Sequence, residues 1–258
     1  MFKRAYSYKT IGYQLPTARN ISAAITENGK ITNTEKVGVV FDDLLTRNSL
    51  VFFIFKDGIN AAIKAAAQEL DGHRALIFFD YQTPRNVAIR SVYIQQDTHF
   101  SIDLNDGAGS GGAEQTNEAT LDAVIKVDGD FSKRTVIAVE NTTDDRWRYA
   151  GSSAVDKEGI VELKVTGGDV YAFAIDDFGK PFQANLAVEI GDTIRPSEML
   201  GWLYKITQAG TLPSIEPKWW SIEGDNPTQQ LGTARAQAIR YYQPIAHGPI
   251  PVELVINK

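Results

Sequence analysis

Reaction chemistry needs titratable or nucleophilic groups held close together, and several sets of residues in this chain invite that test. Adjacent carboxylates occur at Asp42–Asp43, Asp144–Asp145 and Asp176–Asp177. A glycosidase needs two carboxylates facing each other across a cleft, one of them kept protonated by burial. Sequence neighbours at strand-turn boundaries cannot straddle a bond, so these pairs read as solvated turn residues. His73, His99 and His247 fall in different segments and lack the clustered spacing of a zinc site. Oxygen ligands gather at Asp103, Asn105 and Asp106, and at Asp176–Asp177, without the full spaced loop of a calcium site. Serines occur without a G-x-S-x-G elbow, and the glycine-rich GAGSGG has no lysine after it to complete a phosphate loop. The expectation is a non-enzymatic protein with no metal and no cofactor.

The other residues able to do chemistry are aromatic. Between Gly191 and Pro249 lie three of the four tryptophans, with Tyr204, Tyr241, Tyr242 and six prolines around them. Such rings either fill the core of a very small β-module or lie flat on its surface as a ligand platform. Sugar rings stack their axial C–H groups on flat aromatic faces. Trp202, Tyr204, Trp219 and Trp220 are therefore the candidate glycan-binding residues. Trp219 and Trp220 are adjacent, so in a strand one would face the core and the other the surface. Packing alone remains the alternative, because small modules need large rings to bury enough area.

These groups must be mounted on something, and composition bounds what. At 258 residues, two or three domains are expected. A 43% hydrophobic and 22% charged composition is that of an ordinary soluble globular protein. The formal charge of −6 and the lack of any basic cluster argue against nucleic-acid binding. Cysteine is absent, which excludes disulfide scaffolds, thiolate zinc sites and cysteine nucleophiles. MFKRAYSYKTIGYQL lacks the apolar core of a signal peptide, and the most apolar run, Leu50–Phe55, is too short to cross a bilayer. A protein made in the cytosol, without membrane insertion, is expected.

The fold class expected is mainly β and multidomain. Residues 1–106 read as an N-terminal docking or assembly domain, of α+β or decorated β type. Runs at 20–26, 37–41, 50–55, 75–79 and 87–94 predict strands, each bounded by Gly, Asn, Asp or Pro. Ile59–Leu70 (INAAIKAAAQEL) is Ala-rich, sets Ile59, Ile63, Ala66 and Leu70 on one face, and predicts the single helix. SLVFFIF does not alternate, so both faces of that strand should be covered. Leu50, Phe52, Phe53 and Phe55 are the candidate assembly interface, alongside a shared core with Phe78–Phe79. Residues 107–119 predict a flexible Gly-rich linker between bodies of no fixed orientation. Residues 120–188 show short alternating strands at even spacing, an Ig-like β-sandwich with Trp147 as core aromatic. Residues 189–258 form the aromatic β-module; its segment 234–241 fits helix and strand equally.

Two stretches resemble known proteins. DRWRYAGSSAVDKEGIVELKVTGGDVYAFAIDDFGKPF looks like the small sandwich repeats of tailed-bacteriophage virion proteins, with a core Trp or Arg strand, a D-x-x-G turn and a GDVYAFAxDDxG hairpin. GDTIRP…GWLYKITQAGT…EPKWW is similar to the chitin-binding-module-like segments of phage tail and structural proteins. Together they cover residues 121–220. The resemblance implies a structural component of the virion, in the tail or baseplate, assembled in the host cytoplasm. It implies partners among other virion proteins and copies of itself, and does not by itself imply sugar binding; host surface polysaccharide is the partner of the adhesin alternative. A host-surface glycan-binding adhesin and a capsid decoration or head-fibre protein are the alternatives.

Overall fold

The computed structural model describes residues 17–32, 34–42, 51–55, 61–80, 86–104, 116–176, 178–197, 201–242 and 244–255. Among them the protein is mainly β, in several separate sheets. The N-terminal segment supplies β1 (Ala18–Glu27), β2 (Lys36–Asp42), β3 (Val51–Phe55), β4 (Ala61–Ala66), a helical turn α1 (Ala67–Leu70), β5 (Gly72–Asp80), β6 (Val87–Ile94) and β7 (Thr98–Leu104). They form two sheets, ordered β4-β1-β7 and β3-β2-β5-β6.

The helix expected over Ile59–Leu70 is absent. Ala61–Ala66 instead pairs antiparallel with β1, from Ala18↔Ala66 to Ala23↔Ala61, and only Ala67–Leu70 turns helically. Alanine's advantage over ordinary residues in a helix is under about 0.7 kcal/mol each. A helix of about a dozen residues is marginal without tertiary support, and the open edge of β1 decides the matter.

The middle of the chain follows its turn signals. It forms β8 (Asn117–Val124), β9 (Lys126–Val127), β10 (Asp130–Phe131), β11 (Lys133–Asn141), β12 (Trp147–Asp156), β13 (Glu158–Val165) and β14 (Asp169–Ile175). Since β8 starts at Asn117, the last residues of the expected linker are strand, and 105–115 lie outside the described residues. Beyond come β15 (Lys180–Pro181), β16 (Ala187–Val188), β17 (Thr193–Arg195), β18 (Trp202–Gln208), β19 (Gly210–Thr211), β20 (Gln229–Leu231), β21 (Ala234–Arg240), β22 (Ala246–Ile250) and β23 (Glu253–Leu254). The segment that fitted helix or strand equally is thus strand β21.

An end sheet runs β15-β17-β18-β21-β20. The final strands leave it and return to the sandwich. β22 adds to β14 and β23 to β8, completing the sheets β12-β11-β14-β22 and β13-β8-β23.

Four sheets stack, and three apolar cores lie between them. Ile21, Ala23 and Ile25 of β1 meet Val40, Leu76 and Phe78. The opposite side of the same inner sheet, Val39, Phe41, Ile77 and Phe79, meets Ile137, Val139 and Phe173 of the sandwich. Val136, Ala138 and Ala172 then turn to Leu121, Val161 and Leu163. Successive side chains alternate faces, so a sheet covered on both sides is apolar without interruption. That is why ALIFF in β5 and VIAV in β11 do not alternate. Phe41 and Phe173 mark the middle core, with ring centroids 5.5 Å apart. Phe178, Leu203 and Tyr241 close it from the end sheet. The bodies expected to have no fixed orientation therefore share one core.

Two other expectations change with it. Trp147 is half-buried against the middle core and 5.3 Å from Tyr171, rather than inside the sandwich. Phe78 and Phe79 serve different cores on the two faces of β5. Leu50, and the side chains of Phe52, Phe53 and Phe55, lie outside the described residues. The backbone of β3 pairs with β2, and both faces of β2 and β5 are covered from within the chain.

A shared core predicts shared unfolding. Phe173→Ala should cost about 3–5 kcal/mol and shift one cooperative thermal transition followed by both tryptophan fluorescence and circular dichroism. Two separate transitions, one of them untouched by the substitution, would contradict the stack.

Candidate functional site

The four candidate aromatics do come together, in the core of the end sheet. β18 alternates, sending Trp202, Tyr204 and Ile206 into this core and Leu203 into the middle one. Trp219 and Trp220 arrive from the irregular stretch between β19 and β20. They are not in a strand, so the expected split between one inward and one outward ring does not apply. Both pack on Tyr204, at centroid distances of 4.4 and 4.6 Å with planes inclined at 30° and 69°. Phe182 meets Trp219 edge-on at 5.9 Å.

Tyr204 is the hub and is fully buried, so it has no face to offer a ligand. Its hydroxyl donates to the backbone carbonyl of Trp220, and burial pushes its pKa up to about 12. Trp219 Nε1 donates to Glu216 Oε1 at 2.8 Å, and the same oxygen accepts the Ser197 N–H at 2.7 Å. Trp220 Nε1 is buried with no hydrogen-bond partner. Trp202, Trp219 and Trp220 each keep part of their surface. The planes of Trp219 and Trp220 are 41° apart, so the two do not form one flat platform.

Sequence reasoning passed over the buried charges. Glu140 is fully buried in β11, where Arg148 Nη1 donates to it at 2.8 Å. Its carboxylate also accepts the backbone N–H groups of Thr166, Gly167 and Gly168. Burial opposes the charge, but Arg148 and these backbone donors outweigh it and hold the carboxyl below its ordinary pKa. Gly168 is required here, because a Cβ would lie 2.1 Å from the Asn141 carbonyl oxygen. The TGG turn was the available signal, since consecutive N–H groups there form an anion-binding nest.

Two further pairs fasten the β1–β2 connection. Lys36, fully buried, reaches Thr32 Oγ1 at 2.7 Å, the Thr34 carbonyl at 2.9 Å and Glu27 Oε1 at 3.0 Å. Arg195 of β17 pairs with Glu35 and donates to the carbonyls of Phe178 and Gly179 at 3.2 and 3.3 Å. That links the end sheet to the N-terminal segment.

The remaining candidates stay apart. Asp144 accepts from Thr142 and pairs with Arg146 at 2.6 Å, interactions that lower its pKa in that order of weight. Asp176 pairs with Arg134 at 3.0 Å, while Asp43 and Asp177 lie outside the described residues. His73 packs on Tyr93, His99 bonds Ser22 Oγ at 2.8 Å, and His247 sits in β22. Asp103 accepts from Thr26 and from the Gly29 N–H at 2.7 Å; Asn105 and Asp106 are outside the described residues. Among the described residues no group of three His, Cys, Asp or Glu is placed to hold a metal. No protein-family model, curated protein or solved structure matches the chain.

Removing the charge that Arg148 and the turn enclose should be expensive. Glu140→Gln is expected to lower stability by about 3 kcal/mol near neutral pH, measured by urea unfolding. A carboxyl with a depressed folded pKa contributes fully above its unfolded value and loses that contribution as pH falls through the folded one. The gap to the wild type should therefore close only below the ordinary glutamate value of 4.5. Tyr204→Phe, which deletes one buried hydrogen bond, should cost about 1 kcal/mol in the same measurement.

Proposed function

We propose that this protein is a non-enzymatic structural component of a bacteriophage virion, in the tail or baseplate. Its N-terminal segment docks on the particle. An Ig-like sandwich and a carbohydrate-binding-module-like end are presented from it, to other virion proteins and to copies of itself. The observation that carries the reading is where the buried charges go. Lys36–Glu27, Glu140–Arg148 and Arg195–Glu35 each hold a turn or join segments remote in sequence. Such charges serve a rigid body, and these six groups are committed to holding its shape. The resemblance of residues 121–220 to virion sandwich repeats and tail modules supports the same reading.

A second reading, a host-surface glycan-binding adhesin, is favoured by the part-exposed rings of Trp202, Trp219 and Trp220.

Mass spectrometry of purified particles tests the first reading: the chain should be found as a stoichiometric component, and its absence from particles would end the proposal. For the adhesin, Trp202→Ala should abolish binding in a surface-polysaccharide screen while the circular dichroism spectrum at the assay temperature stays that of the wild type, even though the melting temperature falls. No binding by the wild type removes that reading.

A further inference from the structure

The outward face of the sheet β13-β8-β23 carries features that packing does not use. Its inward residues, Leu121, Val161 and Leu163 among them, form the sandwich core. Outward, Val124 and Ile160 each keep 60% of their surface exposed. Glu158 lies opposite Val124 and Ile160 opposite Asp122, which makes the two apolar residues diagonal neighbours on one face. Next along the chain, Lys126 faces Phe131 across the β9–β10 ribbon, with Nζ 5.0 Å from the ring centroid. Phe131 is itself 54% exposed. An exposed apolar pair thus lies across the two strands, with a third exposed apolar group on the ribbon that follows β8.

The same face is acidic. Glu118, Asp122, Glu158 and Glu162 project from it; one cation, Lys164, stands opposite Glu118, and none of the four carboxylates has an ion pair among the described residues.

We infer that this face docks a basic protein surface, one presenting apolar side chains between lysines or arginines. Charge selects the occupant. A second copy meeting it through the same face would set these carboxylates against each other, with −6 on each chain. Nucleic acid, anionic lipid and acidic polysaccharide are repelled on the same ground. The exposed apolar groups supply the part of the contact that can be dehydrated, and the carboxylates supply register and attraction. The inference goes beyond the virion reading and does not depend on it.

The test uses the full chain and a fluorescent peptide of alternating lysine and valine, followed by anisotropy at low salt. Binding is expected. It should weaken about tenfold in V124T/I160T and in E158Q/E162Q, both checked for an unchanged melting temperature. I190T/I215T removes exposed isoleucines elsewhere and should leave binding unaltered. Three results would overturn the proposal. They are no binding by the wild type, equal weakening by I190T/I215T, and sedimentation as a dimer that V124T/I160T dissociates.

Discussion

The apolar layer in which Phe41 meets Phe173 is the constraint on which the rest of the architecture depends. The central strands of the two sheets on either side of it, β2 and β5 in one and β11 and β14 in the other, are buried on both faces and could not stand in water alone. Stripped of its neighbour, the sheet β3-β2-β5-β6 would expose Val39, Ile77 and Phe79 together, each of which is now wholly buried. Burying a side chain of that size is worth about 1.5–3 kcal/mol. The separation into N-terminal segment, sandwich and end sheet is thus a division of the sequence, while the cores run across it.

Around that layer the chain places its buried charges at joints. A buried ion pair is a poor source of net stability, since desolvation offsets most of the attraction unless further hydrogen bonds complete it. The pairs here are so completed. Glu140 has Arg148 and three backbone donors, Lys36 has two threonines besides Glu27, and Arg195 has two carbonyls besides Glu35. Each fixes one geometry at a place where apolar packing would tolerate several. The β1–β2 connection receives two of the three, and it is the point where the end sheet meets the N-terminal strands.

The aromatic cluster obeys the same economy. The module has two seven-residue strands, β18 and β21, with strands of only two and three residues around them, and large rings around Tyr204 supply the buried area so small a body needs. What remains on its surface is the outer part of three tryptophans. Further exposed apolar surface lies on the far sandwich sheet, where the neighbours Val124 and Ile160 coincide with unpaired carboxylates.

How much of this was legible beforehand depended on whether the signal was local. Alternation and turn residues located nearly every strand from β8 to β14, because β-turn chemistry acts over four residues. The gathering of Trp202, Tyr204, Trp219 and Trp220 was also readable, since they are close in sequence. Their angles were not, because Trp219 and Trp220 sit outside any strand and the period-two rule has no purchase there. Ile59–Leu70 misled because helix propensity is local and weak, and the competing partner was the edge of β1, some forty residues away. The TGG turn signalled an anion site but nothing local pointed to Glu140 as its occupant, since its partners lie on β12 and in the turn after β13. Sequence alone determined that this chain is built of strands and carries three of its four tryptophans in one module. Only the tertiary structure decided that its parts share a core, because which face of a sheet is covered depends on neighbours that no local pattern names.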